Sequence, residues 1–160
     1  MLDNFKMNGI KFIRYNPLND EHFDCLKEFD KDERENNYYP DWKDILNSYI
    51  NNYNNNDMVY LLKSNNDFIG ICTIDLDEEN RAVIAIGILS KCNPIMCNQV
   101  RGTIVKYLQE NGVVEVAEYL KINEENDLDN WTKKGFKVTP VGSTGYFEIK
   151  HIEDNISIRR

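Results

Sequence analysis

The sequence lacks a long uninterrupted hydrophobic run. Its longest strongly apolar stretch, Ala82–Leu89, is far shorter than the roughly 20 residues that a helix needs to cross a lipid bilayer. The N-terminus, MLDNFKMNG, has neither the cationic start nor the apolar core of a secretory signal peptide. These absences predict a cytoplasmic protein that has no membrane partner.

The sequence also lacks the patterns that bind metals or nucleoside triphosphates. The four cysteines are scattered, and only Cys92 and Cys97 are near neighbours, with no second pair and no nearby histidine. No metal site is therefore expected, and free thiols are typical of a reducing compartment. The chain contains no Gly-Lys-Ser or Gly-Lys-Thr, which argues against a phosphate-loop nucleotide hydrolase. His22 and His151 are far apart in the sequence and are expected at the surface.

Basic residues are too few to favour binding to nucleic acid. The 19 Lys and Arg residues against 27 Asp and Glu residues give a formal net charge of −8. The negative charge of the protein would repel the negatively charged phosphate backbone of a nucleic acid, so no nucleic-acid partner is expected. A cationic small molecule or peptide would instead be attracted by the same charge.

The chain does contain enough apolar residues for one domain. At 160 residues, of which 41% are hydrophobic, it can bury a core without metal or disulfide support. We therefore expect a single domain over residues 1–160, with its core between about residues 10 and 152.

Apolar periodicity predicts the order of elements βααβββαβαββ. Ile10–Tyr15 alternates as a half-buried strand should, and Asn19 or Asp20 can cap a helix after it. A second helix is expected from about Asp41. The apolar face of the first helix would contain Phe23, Leu26 and Phe29.

Three strands and a helix are expected in the middle of the chain. Short connections favour an antiparallel meander, and the third strand lacks polar alternation, which predicts burial on both of its faces. The expected strands are Met58–Ser64, Phe68–Leu76 and Ala82–Leu89, and the helix carries an apolar stripe of Val100, Ile104, Tyr107 and Leu108. The remaining elements are a strand at Val113–Ile122, a short helix that ends at Gly135, and strands at Phe136–Val141 and Tyr146–Ile152.

Gly102 is unexpected because glycine in a helix costs roughly 1 kcal/mol relative to alanine. The apolar pattern places this residue in the first turn of its helix. Two interpretations follow from that position. The free amides and the dipole of a helix start can bind a diphosphate that approaches where no Cβ intervenes. Alternatively, the glycine lets the helix pack tightly against the sheet.

The order of elements, from about Ile10 to Ile152, resembles that of the GCN5-related N-acetyltransferases (GNATs). The cofactor motif of this family is Gln or Arg, two residues, Gly, one residue, and then Gly or Ala. Five of its six places match here, and Ile104 does not. A second similarity is an aromatic residue followed by three residues and Gly-Phe, where Trp131 stands in place of the family's tyrosine. The residues at the six places are Gln99, Val100, Arg101, Gly102, Thr103 and Ile104.

The resemblance implies an α/β fold with a mixed, mostly antiparallel sheet. It also implies direct transfer of an acetyl or similar acyl group from coenzyme A to a primary amine on a small molecule or peptide, without a metal. Homodimers are common in folds of this kind, so a homodimer is one expected assembly. The residues implied in binding acetyl-CoA are the six of the motif, Asn123, Trp131, and the backbone of Ile88, Leu89 and Ser90.

The reaction needs a group that accepts a proton from the amine, and the sequence offers few candidates. An indole cannot give up its proton at neutral pH, so Trp131 cannot replace the tyrosine that often protonates the departing thiolate. The fourth strand has no glutamate. We expect Tyr119 and Glu118 to be catalytic, although a solvated acidic edge with one packed tyrosine is an alternative. Other acidic candidates are Glu115, Asp75 and Asp77.

Two other classes of function stay open. One is a domain of the same fold that has lost transfer chemistry and binds coenzyme A or a protein partner, which the missing Tyr and Glu favour. The other is an α/β interaction module unrelated to coenzyme A. The aromatic residues Tyr38, Tyr39 and Trp42 could bind an amine by cation–π contact or close the core.

Overall fold

The computed structural model describes residues 4–36, 57–93, 95–121, 131–134, 136–143 and 146–152. The second predicted helix, the aromatic residues before it and Asn123 lie outside these ranges. The described elements are β1 Phe5–Met7, β2 Ile10–Arg14, α1 Asp20–Asn36, β3 Asp57–Ser64, β4 Asp67–Leu76, β5 Arg81–Ile88, α2 Ile95–Glu110, β6 Glu115–Lys121, β7 Lys137–Pro140 and β8 Tyr146–Ile152.

The strands form one eight-stranded sheet in the order β1-β2-β3-β4-β5-β6-β8-β7. Strands β5 and β6 pair in parallel. The antiparallel pairs are β1–β2, β2–β3, β3–β4, β6–β8 and β7–β8. The parallel pair follows from the chain order, because α2 lies between the two strands and carries the chain back to the same end. The predicted mixed, mostly antiparallel α/β sheet is therefore confirmed.

The first strand was not expected from the sequence. Phe5–Met7 pairs with Ile10–Phe12 across the turn Asn8-Gly9. Both turn residues have positive φ values, 54° and 80°, as a two-residue hairpin connection requires. The ring of Phe5 stacks on that of Phe12 at 4.3 Å.

The predicted cap of the first helix is confirmed. The side-chain oxygen of Asn19 accepts the backbone N–H of His22 at 3.1 Å, which satisfies one of the free donors at the start of α1. The predicted apolar face is only partly buried, because Phe29 is fully buried whereas Phe23 is 46% exposed.

The chain divides into two compact units. The first comprises Met1–Asp75 and Ile86–Ile104, and the second comprises Leu76–Ala85 and Val105–Arg160. The fully buried large side chains of the first unit are Phe12, Phe29, Tyr60, Leu61, Leu62, Ile71, Ile74 and Ile104, and those of the second are Ile84, Leu108, Glu118 and Ile149.

Strand β5 differs from its prediction in one respect. Ala82 and Ile84 are almost completely buried, but Val83 between them is 38% exposed. Because successive side chains of a strand point to opposite faces, one face of β5 is accessible at this position. The prediction of burial on both faces is therefore wrong here. In the described part of the chain, no helix is both long and apolar enough to span a membrane.

Candidate functional site

Helix α2 begins at Ile95, so Gly102 is not in its first turn as the sequence suggested. Asn93 caps the helix start: its side-chain oxygen accepts the N–H of Ile95 at 2.9 Å, and its backbone oxygen accepts the N–H of Met96 at 2.8 Å. The amides of residues 99–104 lie in the helix interior, where bonds to carbonyls four residues earlier use them. They are therefore not free to bind a diphosphate.

The six residues of the glycine motif do not form one surface. Val100 and Ile104 are fully buried, and Arg101 is 8% exposed. The guanidinium of Arg101 donates to Asn98 Oδ1 at 2.7 Å and lies 3.7 Å from Cys97 Sγ, so it contacts side chains of its own helix. The other three residues, Gln99, Gly102 and Thr103, line a pocket.

Gly102 has no packing role in the structure. It is exposed, and a Cβ built on it would meet no atom within 4 Å outside its own stretch of helix. The interpretation that this glycine allows tight packing against the sheet is therefore wrong. What the missing side chain leaves is open space at the wall of the pocket.

The pocket, here called the α2 pocket, lies within the first unit and has a volume of about 330 Å³. Asn8 Nδ2 donates to Thr103 Oγ1 at 3.4 Å, and Thr103 Oγ1 donates to the carbonyl oxygen of Gln99 at 2.9 Å. None of the lining side chains is charged. The lining residues are Asn8, Ile10, Ser64, Met96, Asn98, Gln99, Gly102 and Thr103.

At the end of β5, two of the three backbone amides expected to bind the thioester arm are used by the protein. Leu89 N–H donates to the carbonyl oxygen of Ile69 at 2.8 Å. Ser90 N–H donates to Asp32 Oδ2 at 3.0 Å, and Ser90 Oγ donates to Asp32 Oδ1 at 2.5 Å. Because Leu89 N–H points towards β4, the N–H of Ile88 points to the opposite edge of the strand.

That opposite edge of β5 is paired for only part of its length. The described parallel ladder joins Arg81–Ile84 to Glu115–Glu118, although β5 continues to Ile88. Where a strand continues past its last paired residue, its backbone N–H and C=O groups on that side can form hydrogen bonds with an extended ligand.

The structure separates the two expected catalytic residues. Glu118 and Tyr119 are neighbours on β6, so their side chains point to opposite faces of the sheet. Glu118 is 2% exposed, whereas Tyr119 is 45% exposed and donates its hydroxyl to Glu148 Oε2 at 2.8 Å. The two side chains therefore do not meet in one site.

The carboxylate of Glu148 raises the pKa of Tyr119, chiefly through this hydrogen bond. We expect Glu148→Gln to bring that pKa back towards its ordinary value, measured by NMR titration of the labelled tyrosine ring. The pKa of Tyr119 is higher in the folded protein than in the unfolded chain. The hydrogen bond therefore stabilises the folded protein fully at pH values below the pKa of the unfolded chain, and this stabilisation is lost as the pH rises through the pKa of the folded protein. Glu110→Gln on the exposed part of α2 is the control, and an unchanged Tyr119 titration in Glu148→Gln would contradict the assignment.

His151 is buried, and the surface position expected from the sequence is therefore wrong. It is 5% exposed, and its ring lies 4.3 Å from that of Phe136 and 6.4 Å from that of Trp131. The two-residue alternation of β8 could have predicted this, since His151 shares a face with the buried Ile149. Trp131 thus packs against an imidazole in the second unit.

Across the parts of the chain that the structure describes, no three His, Cys, Asp or Glu side chains come together as a metal site requires. The sequence matches no protein-family model and no curated protein.

Solved structures, in contrast, resemble this chain over nearly its whole length. The N-acetyltransferase PseH of Campylobacter jejuni, in complex with acetyl coenzyme A, has a TM-score of 0.60 at 12% identity, with 90% of this chain and 99% of that chain covered. A GNAT family acetyltransferase of Elizabethkingia anophelis with acetyl-CoA bound has a TM-score of 0.60 at 15% identity, covering 92% and 100%.

A third structure is an acetyl transferase of Salmonella typhimurium that modifies the N-terminal serine of the ribosomal protein L7/L12. It has a TM-score of 0.68 at 9% identity, with 92% of this chain and 97% of that chain covered. At such identities the likeness concerns the backbone alone. Taken with the strand order and the parallel pairing of β5 with β6, it shows that this chain has the fold of the GNAT acetyltransferases, the acyl-CoA N-acyltransferase fold.

Proposed function

We propose that the protein transfers an acetyl or similar acyl group directly from coenzyme A to a primary amine. The observation that carries this proposal is the edge of β5, whose described ladder ends at Ile84 while the strand runs to Ile88. An extended amide-bearing arm can pair with such an edge as an added strand. The proposal is supported by the fold, since solved structures of the same fold contain acetyl-CoA.

The residues around β5 and α2 fit coenzyme A in part. The outward N–H of Ile88 suits the thioester arm, and Asp32 fixes the main chain of Ser90 next to it. The start of α2 fits less well, because Asn93 already accepts the amides of Ile95 and Met96. We place the diphosphate at this first turn, residues 95–98, where a helix dipole favours an anion, and not at residues 99–104.

Of the two residues expected to be catalytic, Tyr119 is proposed as a proton donor. Its side chain is 45% exposed, and its phenol is protonated at neutral pH because the ordinary tyrosine pKa is about 10. The carboxylate of Glu148 raises that pKa further. When a thioester is attacked by an amine, a thiolate departs and the nitrogen loses a proton. A protonated tyrosine hydroxyl can serve as the proton donor to such a thiolate and recover a proton from the nitrogen through water. Glu118 and Trp131 have no assigned step, since the first is buried on the other face and an indole does not release its proton.

Thermal unfolding with acetyl-CoA tests the proposal, with ATP as the control ligand. At 100 times its dissociation constant, acetyl-CoA should add about 2.7 kcal/mol to the free energy of unfolding. Thiol release is then measured with a panel of polyamines, aminoglycosides and basic peptides. Tyr119→Phe should slow thiol release but keep the increase in unfolding free energy that acetyl-CoA causes, whereas Tyr107→Phe on α2 should change neither quantity. Absence of a shift with acetyl-CoA would contradict the proposal.

A second candidate function is a domain of this fold that binds coenzyme A or a protein partner without transferring an acyl group. Two observations favour it: Trp131 stands where the family has a tyrosine, and Asn93 uses the amides that start α2. This candidate predicts a shift with acetyl-CoA but no thiol release with any amine of the panel.

A further inference from the structure

Gly102 is a helix-interior glycine whose presence the protein's own packing does not explain. It is not among the residues with positive φ, and a Cβ there would meet no atom within 4 Å outside its own helix. Alanine at this position would favour the helix by about 1 kcal/mol. What glycine does provide is a bare strip of helix surface on the wall of the α2 pocket.

The chemistry of the α2 pocket favours a neutral ligand with an apolar, planar part. No Asp, Glu, Lys or Arg lines it, although 29% of the chain is charged, so a charged group would find no counter-ion among the lining residues. Ile10 is buried and gives the pocket an apolar wall. Met96 adds a thioether, which makes favourable contacts with aromatic rings.

Three carboxamides supply hydrogen-bonding groups at the rim of the pocket. The side chain of Gln99 forms no hydrogen bond with any residue that the structure describes, so both its donor and its acceptor are available. Asn98 uses Oδ1 to accept from Arg101, which leaves its Nδ2 as a donor. Asn8 uses Nδ2 to donate to Thr103, which leaves its Oδ1 as an acceptor. A carboxamide pairs in a bidentate manner with the adjacent N–H and ring nitrogen of adenine.

We propose that the α2 pocket binds a purine base, with the ring lying on the bare helix surface at Gly102 and Gln99 pairing with its polar edge. The volume of about 330 Å³ is within the range of ligand pockets and admits a nucleoside. The base can belong to a free purine nucleoside or to the adenosine end of coenzyme A. Only the second source depends on the proposed function.

Calorimetric titration of the full chain with adenosine tests this site, with uridine as the comparison ligand. We expect adenosine to bind more tightly than uridine. Gln99→Leu should weaken adenosine binding at least about fivefold, because a bidentate pair contributes about 1–3 kcal/mol. Gln109→Leu, the same change on the same helix but outside the pocket, should leave the affinity unchanged. Gly102→Leu should also weaken binding, because its side chain would occupy the pocket from a position where an added Cβ meets no atom within 4 Å outside its own stretch of helix.

Repeating the titration with saturating acetyl-CoA identifies the source of the base. If acetyl-CoA abolishes adenosine binding and Gln99→Leu weakens both ligands, the base is that of coenzyme A. If both ligands bind together, the site serves a free nucleoside. Failure of adenosine to bind the folded wild-type protein, or an undiminished affinity in both Gln99→Leu and Gly102→Leu, would overturn the proposal. Failure of the proposed function is a separate result, namely adenosine binding without any shift from acetyl-CoA.

Discussion

Ile104→Ala should lower the free energy of unfolding by about 3 kcal/mol, although it completes the glycine motif of the family. The side chain of Ile104 is fully buried, as are those of Val100 and Leu108 along the same stripe of α2. Truncation therefore loses the transfer free energy of the removed carbons and leaves a cavity. Because position 104 lies in the interior of α2, the change should bring no gain in acetyl-CoA affinity.

Chemical denaturation measures the stability of this variant, and calorimetry measures its affinity for acetyl-CoA. Lys106→Ala, at an exposed position of the same helix, is the control and should change stability by less than about 0.5 kcal/mol. An Ile104→Ala protein that is as stable as the wild type and binds acetyl-CoA more tightly would show that residues 99–104 act as a cofactor loop.

Gly70→Ala is the second change with a large expected effect, a loss of about 3 kcal/mol of folding free energy. A Cβ on Gly70 would collide with the carbonyl oxygen of Gly87 and approach Ile88 Cα to 3.0 Å. Both obstacles are backbone atoms of β5, so no side-chain rotation can relieve them. Strands β4 and β5 would have to separate at the end of β5, where we place the thioester arm. The increase in unfolding free energy that acetyl-CoA causes should therefore be smaller in this variant.

Gly102→Ala is the matched control for Gly70→Ala. The same methyl group enters open space at a helix interior position, so the variant should be about 1 kcal/mol more stable than the wild type. Urea denaturation of both proteins gives the comparison. Equal effects of the two substitutions, in either direction, would contradict the close approach of β4 and β5 at Gly70.

The strands were easier to predict than the start of α2. The predicted ends of β3, β4 and β5 are each within one residue of the observed ends, because runs of β-branched and apolar residues between short polar turns specify these strands. The predicted ranges are Met58–Ser64, Phe68–Leu76 and Ala82–Leu89. The predicted start of α2 is too late because it rests on the apolar pattern and leaves out the capping signal before Ile95. Asn93 followed by Pro94 is a typical helix start, and it was present in the sequence.

The candidate site was predicted less well, for two physical reasons. The two-residue period of a strand places the side chains of the neighbours Glu118 and Tyr119 on opposite faces, so the sequence alone already argues against one site that contains both. Contacts between residues distant in the sequence could not be foreseen at all. The bond from Tyr119 to Glu148 depends on the register of β6 against β8, and the α2 pocket depends on Asn8 meeting Thr103.

The carboxylate of Asp32 on α1 holds both the main chain and the hydroxyl of Ser90, and Lys91 forms an ion pair with Glu28 one turn earlier at 3.5 Å. Helix α1 and the residues that follow β5 are thus mechanically joined. Any molecule whose binding displaces α1 must also work against these bonds, and any molecule that displaces Ser90 must work against α1. Such linkage is reciprocal by thermodynamic necessity, so two ligands that use these two segments would change each other's affinity by the same factor.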